Sequence, residues 1–191
     1  MTARLILIAH AETRATREAA FPSDESLTLK GRATARRLGA SLSPSVQAWR
    51  SPAAAALETA TAFAFACDAT VDPMLADLDC GAWRGRPIAD IAAADPEGLA
   101  AWLANPAYAG HGGQALATLL DRTAGWLDAR GADRGPALAI THAAVVRGAV
   151  LAVLGAPPAA FWRLDIAPLT RVELSSDGRR WTLRAITGAA G

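Results

Sequence analysis

Two histidines directly follow strand-like apolar segments, and their placement indicates a site for chemistry. His10 follows the apolar run 3–9, and His142 follows the run 137–141. A short continuous apolar run is typical of a strand buried on both faces. Active sites gather where such strands end, because the carboxyl ends of parallel strands line the ligand crevice. One histidine in such a place is usually structural, but two in matching places indicate a shared functional site.

The segments that would position these histidines alternate between strands and helices. Strands are predicted at 3–9, 46–50 and 137–141, and a closing hairpin at 169–175 and 180–187. Helices are predicted after a turn at Lys30-Gly31 and at 53–66, 88–94, 96–103, 114–130 and 143–154. Ser51 is expected to cap the second of these helices, with Pro52 starting it, and 70–87 is expected to be a loop. The alternation predicts an α/β fold with a largely parallel sheet.

Composition bounds the class of protein. The chain has 191 residues with 19 basic and 18 acidic side chains, which favours one domain over 1–191 and excludes the charge pattern of a nucleic-acid binder. No apolar stretch is long enough for a membrane span or a signal peptide, so we predict a cytoplasmic protein. Cys67 and Cys80 are too few for a disulfide framework or metal cluster and are predicted to be reduced. We expect no cofactor and no bound metal, and the oligomeric state stays open, with a dimer as one option.

Six segments occur in the order found in a known superfamily. They are LILIAHAET, LTLKGR, SPAAAALETA, LADLDCGAWRG, GHGGQA and LAITHAAVVRG. Together they resemble the histidine phosphatase superfamily, the phosphoglycerate mutase-like proteins, over residues 5 to about 154. The resemblance implies a three-layer sandwich with a mostly parallel central sheet flanked by helices. The chain is more similar to the compact phosphatase branch than to the mutases.

The resemblance also implies roles for three residues. His10 matches the histidine that attacks phosphorus and becomes phosphohistidine. Asp77 matches the carboxylate that gives a proton to the leaving group and then takes one from water. His142 matches a second histidine that, with two arginines, holds the phosphoryl oxygens and balances their charge.

The chain departs from the family pattern where phosphate would bind. The family motif Arg-His-Gly reads Ala9-His10-Ala11 here, and Ala55 stands in the slot of the second arginine. Both phosphate-binding arginines are therefore alanines, which cannot supply a bidentate guanidinium. The catalytic acid is aspartate instead of the usual glutamate. Losing a preorganised donor costs about 10²–10³ in rate, so we expect weak or altered activity.

Other residues near the motifs could replace the missing charge. Thr13, Arg14, Arg50 and Arg84 are our candidate substrate-binding residues, although each arginine taken alone is more simply a surface residue. Arg147 is interpreted as structural. We expect His111 to be exposed in its Gly-rich loop, and Trp83 to pack the pocket wall.

Three functions stay open on this sequence. The first is a phosphatase acting on a small phosphorylated molecule through His10 and Asp77. The second is a catalytically inactive pseudophosphatase that serves as a binding or regulatory module, since a fold does not carry function by itself. The third is a repurposed His/His/Asp site, with a metal site at His10, His142 and Asp77 as its less favoured form.

Overall fold

A mixed β-sheet forms the centre of the computed structural model, which describes residues 3–42, 47–63, 66, 68–133 and 135–188. The described strands are β1 (Ala3–Ala9), β2 (Gln47–Arg50), β3 (Thr70–Val71), β4 (Gly135–Thr141), β5 (Arg171–Ser176) and β6 (Trp181–Thr187). Their order in the sheet is β3-β2-β4-β1-β5-β6. The first four strands in this order run parallel, while β5 is antiparallel to β1 and to β6.

Helices cover both faces of this sheet. They are α1 (Arg14–Arg17), α2 (Leu29–Ser41), α3 (Ala54–Ala62), α4 (Ile88–Ala94), α5 (Pro96–Ala104), α6 (Leu116–Arg130) and α7 (Ala143–Leu154). Short 3₁₀ turns lie at Pro73–Leu75, Gly81–Trp83 and Pro158–Arg163. None of the helices in the described ranges has both the length and the hydropathy that a membrane crossing requires.

The central strand β1 divides its side chains between two cores. Leu5, Leu7 and Ala9 join the cluster that contains residues of α6 and α7, while Ile8 joins the cluster with residues of α2 and α3. Successive side chains of a strand point to opposite faces, so a strand covered on both sides must be apolar throughout. The α/β class and the three-layer, mostly parallel sandwich are therefore confirmed.

Several element boundaries differ from the sequence-based prediction. Helix α2 begins at Leu29, because Thr28 accepts a hydrogen bond from Gly31 N, so the predicted Lys30-Gly31 turn is wrong. Helix α3 begins at Ala54 and not at Pro52, with Ala53 as its N-cap. The sequence does not predict the short helix α1, and the expected loop 70–87 contains β3 and two 3₁₀ turns. Residue 46 of the second predicted strand and Cys67 lie outside the described residues.

The register of the parallel strands aligns their carboxyl ends. His10 N donates to Thr141 O at 2.8 Å, which places the residues after β1 and β4 side by side. Ser51 N donates to Ile140 O at 2.9 Å, so the residue after β2 lies on the other side of β4. Three neighbouring strands therefore present Ser51, His142 and His10 at one edge of the sheet.

Candidate active site

His10 and His142 meet above the carboxyl ends of β1 and β4. Their ring centroids are 5.0 Å apart and the rings are inclined by 74°, an edge-to-face arrangement. His10 is half-buried, while His142 is 5% exposed. The structure thus brings together the two imidazoles that the sequence places after separate strands.

His10 has one ring nitrogen bonded and the other free. Its Nδ1 donates to the carbonyl oxygen of Ala11 at 2.8 Å, which fixes the Nδ1–H tautomer. Among the described residues no hydrogen bond is made by Nε2, so its lone pair is available. Burial and, to a smaller extent, the neighbouring His142 lower the pKa of His10 from 6.5 to about 4, against smaller opposing effects of Ala11 O and Asp77. His10 is therefore a neutral imidazole near neutral pH.

Both ring nitrogens of His142 face polar side chains. Nε2 lies 2.7 Å from Oγ of Ser51, and Nδ1 lies 3.2 Å from Oδ2 of Asp77. The second contact is poorly aligned for a hydrogen bond and is mainly electrostatic. A neutral imidazole facing a carboxylate carries its proton on that side, so Nδ1 bears the hydrogen and Nε2 accepts from the Ser51 hydroxyl. Ser51 Oγ in turn accepts from Ala53 N at 3.3 Å.

Asp77 is ionised in this arrangement. Its burial raises the pKa, but attraction to His142 and to His10, together with a bond from Leu78 N to Oδ1 at 2.8 Å, outweighs the burial. The pKa of Asp77 consequently lies below its usual value. A carboxylate of this kind is a better proton acceptor for an attacking water than a proton donor for a leaving group.

Arg122 holds the segment that carries Asp77. Its Nη1 donates to Met74 O at 2.6 Å and to Ala76 O at 2.8 Å, and its Nη2 donates to Asp77 O at 3.3 Å. A planar guanidinium can bond several carbonyl oxygens at once, which an ammonium cannot do with the same geometry. Helix α6, which carries Arg122, thus fixes the position of the catalytic carboxylate's backbone.

A cavity of about 440 Å³ opens beside these residues. Its wall includes His10, His142 and Asp77, and most of the remaining wall is apolar. The other charged side chains in the wall are Glu25, Asp165 and Arg147. Setting aside the imidazoles, three carboxylates face one guanidinium, so the cavity has an acidic rather than a basic lining.

Ala9 and Ala55, which we expect to stand where the family carries phosphate-binding arginines, bring no charge to the cavity. Ala55 lines the cavity, while Ala9 is buried at the end of β1. Arg147, the arginine in the described part of the cavity wall, donates from Nε to Leu164 O at 2.8 Å. Burial of the Arg147 guanidinium lowers its pKa, and the nearby charge of Asp165 opposes this effect.

The candidate substrate-binding residues divide into one that reaches the cavity and three that do not. Thr13 lies in the wall, where its hydroxyl caps α1. Arg14 is mostly exposed and lies 3.8 Å from Glu25, and Arg84 bonds Asp79 at 2.7 Å. Arg50 donates to Ser51 O at 3.1 Å. The structure brings none of these three arginines into the described cavity wall, because each has a partner elsewhere.

Backbone N–H groups supply positive partial charge in their place. The cavity wall includes Ala143 and Ala144 at the first turn of α7, and Ala55 at the first turn of α3. First-turn amides have no acceptor within their own helix, and the helix dipole makes this end favourable for anions. No acceptor for the amides of Ala143 and Ala144 occurs among the described residues. These amides are therefore available to a phosphoryl oxygen.

Two residues near the site differ from their expected surroundings. His111 is buried, and the expectation that it is exposed is wrong: its Nδ1 accepts from Gly113 N at 3.0 Å and its ring packs 4.9 Å from that of Trp83. Trp83 lies behind the cavity wall and not in it, in contact with Phe21. Both positions follow from side-chain packing between loops, which the local sequence does not specify.

Ser51 and Arg122 are site residues that the sequence alone does not reveal. The sequence favours Ser51 as a helix cap, although its place directly after β2 matches that of His10 after β1 and His142 after β4. That shared position is the signal that points to it. Arg122 has no local signal, since its carbonyl partners lie 45 to 48 residues away in the chain.

Metal binding has little support at this site. Within the described ranges, no group of three or more histidine, cysteine, aspartate and glutamate side chains is placed to hold a metal ion. Nε2 of His142 is occupied by the Ser51 hydroxyl and its Nδ1 faces Asp77, so neither ring nitrogen of His142 is open to a metal.

Comparison with known proteins shows the family to which the chain belongs. The model of the histidine phosphatase superfamily (branch 1) matches residues 5–188, so the chain belongs to that superfamily. The bifunctional protein Rv2228c of Mycobacterium tuberculosis is 32% identical over 139 residues, which are 67% of this chain and 37% of that protein. The aligned part of this chain thus covers little more than a third of the length of the curated relatives it matches.

Solved structures share the fold over nearly the whole chain. The protein TTHB049 from Thermus thermophilus is 29% identical, with a TM-score of 0.76, over 97% of this chain and 99% of that one. The mycobacterial glucosyl-3-phosphoglycerate phosphatase Rv2419c in complex with VO3 is 22% identical, with a TM-score of 0.83, over 98% and 99% of the two chains. These likenesses show that the chain has the fold of the histidine phosphatase superfamily over nearly its whole length.

Proposed function

We propose that this protein hydrolyses small phosphomonoesters through a phosphohistidine formed on His10, at a rate limited by its missing arginines. The observation that carries the proposal is the state of His10. It is a neutral imidazole whose Nδ1–H is bonded to Ala11 O and whose Nε2 is free beside the described cavity wall. Such a nitrogen is a competent nucleophile without prior loss of a proton.

The reaction follows from the positions of the described groups. Nε2 of His10 attacks phosphorus, the ester P–O bond breaks, and the leaving oxygen departs with the bonding electron pair and takes a proton from solvent water. Water then attacks the phosphohistidine while Asp77 accepts its proton, which releases phosphate and restores Nε2. The amides at the start of α7 are the groups that can stabilise the phosphoryl oxygens.

The rate should lie well below that of a relative with both arginines. Each preorganised donor that is lost costs about 10²–10³ in rate, although such effects do not simply add. The mycobacterial relative solved with VO3 is, by its name, a phosphatase, which supports a phosphomonoester as the substrate class here. We do not infer the particular substrate of that relative for this chain.

The test measures phosphate release and the covalent intermediate together. The purified protein is incubated with an aryl phosphate at pH values on both sides of neutrality, beside His10→Ala. We expect slow release in the parent protein only, with a phosphoryl group bound to His10 that is labile in acid and stable in alkali. Equal release by both proteins, or no phosphohistidine after acid-free trapping, would contradict the proposal and favour the pseudophosphatase.

A further inference from the structure

The cavity beside His10 has a continuous aromatic wall, formed by Phe21, Trp102, Phe161 and Trp162. Trp102 and Trp162 have ring centroids 4.3 Å apart, Phe161 lies 4.7 Å from Trp162, and Phe21 lies 5.3 Å from Trp102. Three of these rings are almost fully buried, whereas Trp162 is only partly buried and lines the cavity. The cavity volume of about 440 Å³ is larger than a phosphoryl group needs, so the remainder is space for a leaving group.

Uncharged polar side chains are few in the cavity wall, and most of the wall is apolar. The hydroxyls of Thr13 and Thr16 bond each other's backbone in the cap of α1. Beside the charged groups, a sugar in this space would have Ser23 and the indole N–H of Trp102 as its side-chain partners, and the rest of its hydroxyls would face apolar surface, which is costly. The chemistry of the wall therefore favours an apolar group.

The charge of the wall excludes a second type of leaving group. Asp165 and Glu25 add negative charge to that of Asp77, while Arg147 in the wall and the exposed Arg14, 3.8 Å from Glu25, offset part of it. A carboxylate or a second phosphate on the leaving group would face these acids across a poorly hydrated space. An uncharged or cationic ring avoids the repulsion and contacts the faces of the aromatic wall.

We propose that the substrate is a phosphomonoester whose leaving group carries an aromatic ring and no additional negative charge, with the ring held against Trp162. This inference rests on the proposed phosphatase function and names its substrate class. The ionised state of Asp77 agrees with it, since an aryl oxide leaves as a stable anion and needs little help from a proton donor.

The ring preference is measured with two substrates of matched leaving-group basicity, 2-phenylethyl phosphate and propyl phosphate. Burial of the ring should give the aromatic ester about a tenfold higher kcat/KM. In Trp162→Ala we expect the ratio to fall to about threefold or less, mainly through KM, because the exposed part of the ring-binding surface is lost. Trp181→Ala is the matched control, since Trp181 of β6 donates to Leu127 O of α6 and is no part of the described cavity wall.

Binding to His10→Ala provides a readout that needs no turnover. Calorimetric titration should show 2-phenylethyl phosphate binding about tenfold more tightly than propyl phosphate, and the difference should shrink when Trp162→Ala is added. Equal kcat/KM and equal affinity for the two esters would overturn the ring site while leaving the phosphatase function intact. Absence of turnover for both esters and for the aryl phosphate would instead contradict the proposed function, and the titration would still decide whether the ring site exists.

Discussion

Ser51 and His142 are 91 residues apart in the chain, yet Oγ of Ser51 lies 2.7 Å from Nε2 of His142. Asp77 lies at the opposite nitrogen of the same ring, 3.2 Å away. The order Ser-His-Asp is that of a serine hydrolase triad, but Ser51 is fully buried and is absent from the described cavity wall. Its hydroxyl consequently orients His142 and fixes its tautomer, and His10 remains the nucleophile that we propose at the cavity.

Ser51→Ala tests this orienting role. Without the hydroxyl, Nε2 of His142 loses its donor, and the ring can adopt both neutral tautomers. One hydrogen bond of about 1 kcal/mol corresponds to a loss in kcat of roughly five- to tenfold. Side-chain ¹⁵N shifts of His142 should change from one tautomer to a mixture. Ser23→Ala, in the same cavity wall, is the control and should leave both the shifts and kcat unchanged.

The pH dependence of activity should reflect the low pKa of His10. Because burial and His142 lower this pKa to about 4, His10 stays unprotonated and nucleophilic through the mildly acidic range. We expect kcat/KM to stay level from neutral pH downward and to fall only as the pH approaches about 4. A titration of His10 Cε1–H by NMR gives the same midpoint independently. A fall in kcat/KM centred at the ordinary histidine value would contradict this assignment of the nucleophile.

The same pKa makes the folded state sensitive to acid. In the unfolded chain His10 binds a proton near pH 6.5, but in the folded protein only near 4, so the unfolded state holds more protons between these values. The contribution of His10 to the free energy of unfolding is therefore complete above about pH 6.5. It is lost as the pH drops through 4, and the loss is at most about 3 kcal/mol. His10→Gln should flatten this part of the urea-denaturation profile. Identical profiles for both proteins would show that His10 is not buried as described.

The sheet and its two histidines can be predicted from the sequence because those features are local. A buried parallel strand is an uninterrupted apolar run, and the residue after it must lie at the sheet edge, so the amino-acid order alone places His10 and His142 there. The motif resemblance adds Asp77. The site role of Ser51 is hidden, because serine followed by proline also fits a helix start.

Features that depend on contacts between distant segments could not be predicted. The three arginines proposed near the site bind Glu25, Ser51 O and Asp79. Which partner an arginine binds depends on side chains that come together only after folding. The burial of His111 has the same origin, since Gly81 and Gly113 allow two loops to approach closely around it. A Cβ on Gly81 would collide with the carbonyl oxygen of His111, and one on Gly113 with that of Asp79.

Arg122→Lys tests whether the backbone that carries Asp77 is held from α6. Lysine keeps the charge, but its ammonium cannot bond the carbonyls of Met74, Ala76 and Asp77 with the same geometry. We expect a loss of about 1–2 kcal/mol in unfolding free energy and a lower kcat with little change in KM. Arg36→Lys, at an exposed position of α2, is the control and should change neither quantity. A stability loss without any change in kcat would limit Arg122 to a structural role.

Ala55→Arg would return a guanidinium to the first turn of α3. Ala55 lines the cavity but is almost fully buried, so the unfolding free energy of the variant is measured first to show that its fold is intact. A preorganised charged donor is worth about 10²–10³ in rate, and we expect kcat/KM to rise by about the lower value, with tighter inhibition by orthovanadate. Ala55→Gln adds similar length without charge and should give neither effect. An unchanged kcat/KM in the arginine variant, with the fold intact, would contradict our proposal that the rate is limited by the lack of a guanidinium at this position.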